Sequence, residues 1–429
     1  MKITCKRIIP LILSAGILSV SLVGCGSTGG KTSEPTSDSA AFTQDAVTEK
    51  APSDTGTPSE NPDNTDTLGV NTYALNSSTE GIRILGQRYL ESPVQINCDW
   101  SCSGIEMNIE TSGGDVTFTA RVSAPSNASC YFRAYVDGSP WNNHDGSVYY
   151  TVGTALTPIV LENIPSGLHC IRLIKVTGYT LARAELTKVS FAGTILPDAP
   201  AEKELYIEFI GDSICCGWGT IGNFEGAYTD QDGTLAYPYL VASALDADYS
   251  VNALSGQGLL KGNPGTYNGY IYASALRSTE TVYSFSRKAD ITVINIGTND
   301  ASLQQPESFR EQYTALLKEI SKQNPGGKIY CIYNTMNDNY SSEILSLCEE
   351  AGGEAAGIYT LKFDRAEKEG HPTNHPSEGE HAREAEKLLD YLRQTMNNEV
   401  TDVPFAPKSQ VGLKIMQSGT GIFLYWKES

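Results

Sequence analysis

The fold reading turns on Leu205-Tyr206-Ile207-Glu208-Phe209-Ile210-Gly211-Asp212-Ser213-Ile214-Cys215-Cys216-Gly217-Trp218. Its first six residues carry a single charge, Glu208, in an otherwise apolar run that reads as a short buried strand. Gly211 breaks that run, and a Gly-bearing, helix-competent segment follows Ser213. A serine at such a junction sits where a strand ends, beside free backbone N–H groups. Those are the surroundings a nucleophilic hydroxyl needs. Gly-Asp-Ser alone is a weak signal, because most such tripeptides are plain turns. Its weight depends on whether the chain also supplies a base and further hydrogen-bond donors.

Downstream of this stretch, strand-like runs at 248–254, 290–296, 328–334 and 357–363 alternate with helical segments. Phe309, Tyr313, Leu316, Leu317 and Ile320 recur at helical spacing, as do Ala385, Leu388, Leu389 and Leu392. Alternating β and α elements predict an α/β domain over 203–398, a parallel sheet with helices on both faces. In such sheets, reactive residues gather beyond the carboxyl ends of the strands. Upstream, between Gly81 and Gly193, the period is two: Val116, Phe118, Ala120 and Val122 fall on one strand face. Eight or so short strands broken by Gly, Pro, Asn and Ser predict an all-β jelly-roll sandwich over 71–196. The proline-bearing segment Leu196–Lys203 separates the two. Residues 399–429 form an extension without a functional reading, with a hairpin predicted from Val411–Met416 and Ile422–Trp426.

The chain begins Met-Lys-Ile-Thr-Cys-Lys-Arg, followed by an apolar run from Ile8 to Gly24. Its length suits a signal h-region better than a spanning helix. The run ends in Leu22-Val23-Gly24-Cys25, which resembles the lipobox of bacterial lipoproteins. That resemblance implies a signal peptide over 1–24, lipidation of Cys25 and an extracytoplasmic location at the bacterial cell membrane. An uncleaved membrane anchor is the other reading. Residues 26–68 hold eight acidic residues, two lysines and one aromatic, Phe42, and predict a disordered acidic tether over 25–70. The net charge of −19 argues against nucleic-acid binding and leaves neutral polymers as compatible partners. Of ten cysteines, eight remain after Cys5 and Cys25, and Cys98–Cys102 and Cys130–Cys170 are the candidate disulfides of an exported chain. No Cys/His spacing suggests a metal site.

Four pieces fall after the predicted strands. Ser213 follows the first, Gly256 in Val251-Asn-Ala-Leu-Ser-Gly256-Gln-Gly258 the second, and Asn299 in Gly297-Thr298-Asn299-Asp300 the third. His375 in Asn374-His375-Pro376-Ser377 lies between the last strand and the last helix. Of the five histidines, His144 and His169 lie in the sandwich, and His371 is the rival base. His381 falls about one turn into the helix that Ser377 is placed to cap. Asp212 and Asp300 read as residues that brace their loops. Trp218 is a candidate substrate contact and equally a candidate core residue. Trp141 is a weaker candidate for facing a polysaccharide.

The order Gly-Asp-Ser, Gly, Gly-Thr-Asn-Asp, His-Pro-Ser resembles the SGNH (GDSL-type) hydrolase superfamily, with its flavodoxin-like three-layer parallel sheet. The longer string Tyr206–Gly219 behind a β-sandwich resembles carbohydrate esterase family 2, the acetylxylan-esterase-like enzymes, over roughly residues 80–395. The resemblance implies Ser213 as nucleophile and His375 as general base. It implies an oxyanion hole from the N–H groups of Ser213 and Gly256 and the side-chain amide of Asn299. The implied activity removes O-acetyl groups from a xylan- or mannan-type polysaccharide without cofactor. Another surface glycan, a lipid ester, and a binding protein with a decayed hydrolase domain are the alternatives. One departure stands out. The pattern places an aspartate two or three residues before the histidine, where this chain has Thr373 and Pro372. Either a backbone carbonyl orients His375, or an acid comes from elsewhere, such as Asp364.

Overall fold

The computed structural model describes residues 69–86, 92–221, 227–261, 287–366, 375–397, 411–418 and 421–428. The expected leader, Cys25, most of the acidic tether and His371 lie outside them.

Alternation of buried and exposed side chains produces eleven strands between 70 and 195. They are β1 (Val70–Ala74), β2 (Ile82–Leu85), β3 (Ile96–Cys98), β4 (Ser103–Thr111), β5 (Gly114–Ala124) and β6 (Cys130–Val136). After these come β7 (Ser139–Trp141), β8 (Tyr150–Val152), β9 (Thr157–Ile164), β10 (Gly167–Lys175) and β11 (Arg183–Ile195). Every pairing is antiparallel, along the path β7-β6-β10-β4-β11-β5-β9. The long β11 changes partners midway: Arg183–Ser190 pair with β5, and Gly193–Ile195 pair with β4. A Cβ on Gly193 would lie 2.0 Å from the Glu110 carbonyl oxygen, so only glycine lets the backbones meet at that crossing. The period-two positions Ile105, Met107, Val116, Phe118, Phe132, Leu173, Leu186 and Val189 all enter one core.

The expected disulfides do not form: Cys98, Cys102, Cys130 and Cys170 are all free thiols. Cys98 and Cys102 point into different cores, the first among the antiparallel strands and the second toward the parallel sheet. Lys175 of β10 pairs with Phe132, near Cys130, whereas Cys170 lies five residues back along β10, opposite Asn108. The two thiols therefore sit toward opposite ends of the ladder.

Beyond the linker, β12 (Tyr206–Gly211), β13 (Asp248–Ala253), β14 (Ile291–Asn295), β15 (Lys328–Tyr333) and β16 (Ile358–Lys362) form one parallel sheet. Its order is β13-β12-β14-β15-β16. The described helices are α1 (Tyr237–Ala244), α2 (Pro306–Gln323), α3 (Ser341–Glu350) and α4 (Glu378–Asn397). Ile207, Phe209, Val251 and Val293 pack with α1 and α4 residues, while Ile210, Ile294, Ile329 and Cys331 pack with those of α2 and α3. The sheet is thus buried on both faces, as its apolar strands require. A fully buried carboxylate in it, Glu208, accepts a hydrogen bond from Asn252 Nδ2 at 2.7 Å.

The antiparallel region and the parallel sheet share a core. Leu85, Cys102, Ile174 and Val176 join the α1/α4 cluster. Arg83 of β2 binds Glu106 and also Asp248 of β13, each at 2.5 Å. A hairpin of β17 (Val411–Ser418) and β18 (Gly421–Glu428) forms its own two-stranded sheet.

Candidate active site

The turn after β12 is built by close packing under its backbone. A Cβ on Gly211 would lie 2.2 Å from Cys215 Sγ and 2.9 Å from the Asn295 carbonyl oxygen, so glycine is required where the strand ends. The chain then coils: the Cys216 N–H donates to the Asp212 carbonyl at 3.2 Å, and the Trp218 N–H donates to the Ser213 carbonyl at 3.0 Å. Ser213 heads this turn with only 4% of its surface exposed. Its Oγ lies 2.7 Å from Nε2 of His375, three residues before α4. Serine and histidine, 162 residues apart, are therefore within hydrogen-bond reach at the carboxyl edge of the sheet.

Two backbone donors are expected to complete the site. Among the described residues, the N–H groups of Ser213 and Gly256 have no acceptor. Gly256 adopts φ +80°, a left-handed conformation that favours glycine.

Asn299 enters from the loop after β14, and its side chain is tied to both other blocks. Nδ2 donates to Asp212 Oδ2 at 3.1 Å and to the Gln257 carbonyl at 2.9 Å. Both amide hydrogens thus already have acceptors, and Asn299 reaches a developing oxyanion only by sharing or exchanging one of these bonds. The Gln257 carbonyl is a partner that carries no side-chain signature in the sequence.

Asp212 and Asp300, both fully buried, brace the loops as expected. Asp212 also accepts the Ile214 N–H at 3.0 Å. Asp300 accepts the N–H groups of Leu259, Leu260 and Lys261 at 2.7–2.8 Å, fixing the loop that carries Gly256. Burial pushes the Asp212 carboxyl up to about 7 against the pull of its hydrogen bonds, and nearby Asp300 adds to the rise. Burial raises Asp300 too, opposed by its three backbone donors.

His375 lies next to α4, which carries His381. His381 is fully buried, its Nδ1 accepts the Tyr237 N–H at 3.3 Å, and burial, with His375 nearby, pushes it down to about 3. It is a neutral core histidine. His144 is exposed, and His169 pairs with Asp137 at 2.8 Å in the antiparallel region. Asp364, the alternative acid, is 83% exposed, and its carboxylate meets Lys387 Nζ at 3.0 Å. Trp218 is half-buried, its ring centroid 6.4 Å from that of His375. Trp141 packs partly against the antiparallel core, its Nε1 donating to the Glu162 carbonyl at 3.1 Å. A residue missed in the sequence is Glu380, buried and bonded to Ser377; the signal was the Ser-x-x-Glu spacing at 377–380. Among the described residues, no group of three or more His, Cys, Asp or Glu is placed to hold a metal ion.

Comparison with known proteins places this geometry. Residues 209–394 match the GDSL-like Lipase/Acylhydrolase family. The chain is 28% identical over 335 residues to the Cellulase/esterase CelE of Acetivibrio thermocellus, covering 74% of this chain but only 40% of that longer protein. It is 25% identical over 359 residues to an Acetylxylan esterase / glucomannan deacetylase of Cellvibrio japonicus, covering 76% of this chain and 95% of the relative. Its structure superposes on a family two carbohydrate esterase from Clostridium thermocellum, solved in complex with cellohexaose. There the TM-score is 0.64 and the identity 26%, over 74% of this chain and 99% of that one. Residues 209–394 are thus similar to the GDSL-like lipase/acylhydrolase family, in a chain similar along most of its length to the family 2 carbohydrate esterases.

Proposed function

We propose that the chain is a serine esterase that removes O-acetyl groups from a polysaccharide of the xylan or mannan type. The observation that carries the reading is the 2.7 Å contact between His375 Nε2 and Ser213 Oγ at the carboxyl edge of the parallel sheet. The names of its relatives supply the substrate class: acetylxylan and glucomannan for one, a cellohexaose complex for another.

In this reading His375 Nε2 takes the Ser213 proton as Oγ attacks the acetyl carbonyl carbon. The carbonyl oxygen gains negative charge, which the N–H groups of Ser213 and Gly256 and the Asn299 amide stabilise, each by about 3 kcal/mol. Collapse of the tetrahedral species breaks the bond to the sugar oxygen, which leaves with the proton from His375. Water then attacks the acetyl-enzyme as His375 accepts its proton. The second collapse returns that proton to Ser213 and frees acetic acid.

The architecture is read in the same terms. The strand order, with β12 second and β13 at the edge, supports reading residues 203–398 as a flavodoxin-like three-layer domain. The antiparallel strands over 71–196 are read as a jelly-roll sandwich. Cys25 is read as the lipidated residue of an extracytoplasmic protein, its acyl chains holding the membrane and residues 25–70 acting as a spacer.

Acetate release from p-nitrophenyl acetate, acetylated xylan and acetylated glucomannan tests the proposal. Release from all three is expected, with the Ser213→Ala variant inactive. No release by the wild type, or equal turnover by the variant, would overturn it.

A further inference from the structure

We infer that Glu380 is a positioning residue for the base: with Ser377 it closes a reciprocal capping box that mounts His375 on the end of α4. This rests on the reading of Ser213 and His375 as nucleophile and base.

The bonds are those a capping box requires. The Ser377 N–H donates to Glu380 Oε2 at 2.8 Å, and the Glu380 N–H donates back to Ser377 Oγ at 3.3 Å. The Ser377 carbonyl accepts the His381 N–H at 2.9 Å, the first bond inside the helix. Ser377 is 9% exposed and Glu380 6%, so water competes poorly for either arm. The helix behind them is firmly seated, with Ala385, Leu388, Leu389 and Leu392 in the core beneath the sheet. Only Pro376 separates the cap from His375, and its ring fixes φ near −65°. The backbone path from the helix to His375 is thus short, with Pro376 φ restricted and Ser377 tied into the box.

The sequence explains why such a mount matters here. Residues 370–374 contain no carboxylate, so the chain offers no acid immediately before His375 to orient it. A capping box fixes the helix end from which His375 projects. The acceptor oxygen does this work, not the charge, and that distinction is testable because glutamine closes the same box.

Glu380→Ala should lower kcat on p-nitrophenyl acetate by about 10- to 100-fold with KM within about twofold, since a displaced base slows chemistry more than binding. Glu380→Gln should stay within about threefold of wild type, and Ser377→Ala should fall between the two. If Glu380→Ala reduces expression or fails to fold, Ser377→Ala carries the comparison. A crystal structure of the alanine variant gives a readout independent of activity: the His375 Nε2 to Ser213 Oγ contact should open beyond about 3.5 Å. Wild-type kcat in Glu380→Ala with the contact intact would overturn the inference. So would Glu380→Gln as slow as Glu380→Ala, which would make the charge the active feature. An inactive wild type would count against the esterase reading alone, because the contact in the crystal would still judge the mount.

Discussion

The two sides of the active site are held by different physics. On the nucleophile side, three strand ends are stitched together by buried carboxylates. Asp212 reaches Asn299, Asn299 reaches Gln257, and Asp300 binds three consecutive N–H groups of the loop behind Gly256. On the base side, His375 hangs from the N-terminus of one helix, held by a serine and a glutamate. The first arrangement is a network in which each member has several partners. The second centres on the capped end of a helix. Loss of one partner should therefore loosen the Ser213 side only partly, while loss of the capping box acts at the helix end next to His375.

The largest expected effect tests whether both sides meet at one reaction. His375→Ala should lower kcat on p-nitrophenyl acetate by at least about 10⁴-fold, approaching the loss in Ser213→Ala, because nucleophile and base act as a unit. The double variant should be no slower than either single one. A multiplicative loss would mean that the two residues do not share a step.

Asn299→Ala comes next, with kcat falling about 10²- to 10³-fold and KM little changed, the signature of a donor used in the transition state. A loss below about tenfold would show that Asn299 keeps its two ground-state bonds throughout and serves only as a brace. Gly258→Ala should have a smaller effect. Its Cβ would fall 2.3–2.5 Å from the Asp300 carboxylate, which must then shift off the backbone it grips. Overpacking of this kind typically costs about 1–3 kcal/mol of stability, readable as a lower midpoint in urea. Turnover should fall only a few-fold, because Asn299 and Ser213 keep their own supports.

The same contrast governs what could be read in the sequence. The period of two in Asp115–Val122 and the helical spacing from Phe309 to Ile320 are local patterns, and both elements form where they were expected. The four blocks were legible because a parallel sheet brings every strand end to one edge, whatever lies between. Contacts set by distant backbone left no such trace. Nothing near Gly193 signals that β11 trades β5 for β4, since its partners lie far off in sequence. Cysteine spacing suggested bridges that the strand register keeps apart. Asn299 was legible as a donor, but its two acceptors, one a main-chain carbonyl, were not. Ser377 was legible as a cap, and Glu380 went unread beside it although the spacing was there.

The smallest expected effect lies in the pH dependence of stability, where the two sides should oppose each other. Burial raises Asp212 from 3.8 to about 7, so between those values the folded protein keeps a proton that the unfolded chain has shed. Asp212 therefore makes stability fall as pH rises through that window. His381 is lowered from 6.5 to about 3, so over that range the unfolded chain takes up a proton that the folded protein refuses. His381 therefore makes stability fall as pH drops. Asp300 and Glu384, both raised by burial, slope the same way as Asp212 and remain in both variants. Melting temperatures of Asp212→Asn from pH 4 to 7 should accordingly climb more steeply with pH than those of the wild type. Those of His381→Gln over the same range should climb less steeply or decline. Parallel curves for Asp212→Asn and wild type would mean that the buried carboxylate stays ionised throughout. The nucleophile side would then be held by charge as well as by hydrogen bonds, and Asp212→Asn should lose well over tenfold in kcat as Asn299 loses its charged acceptor.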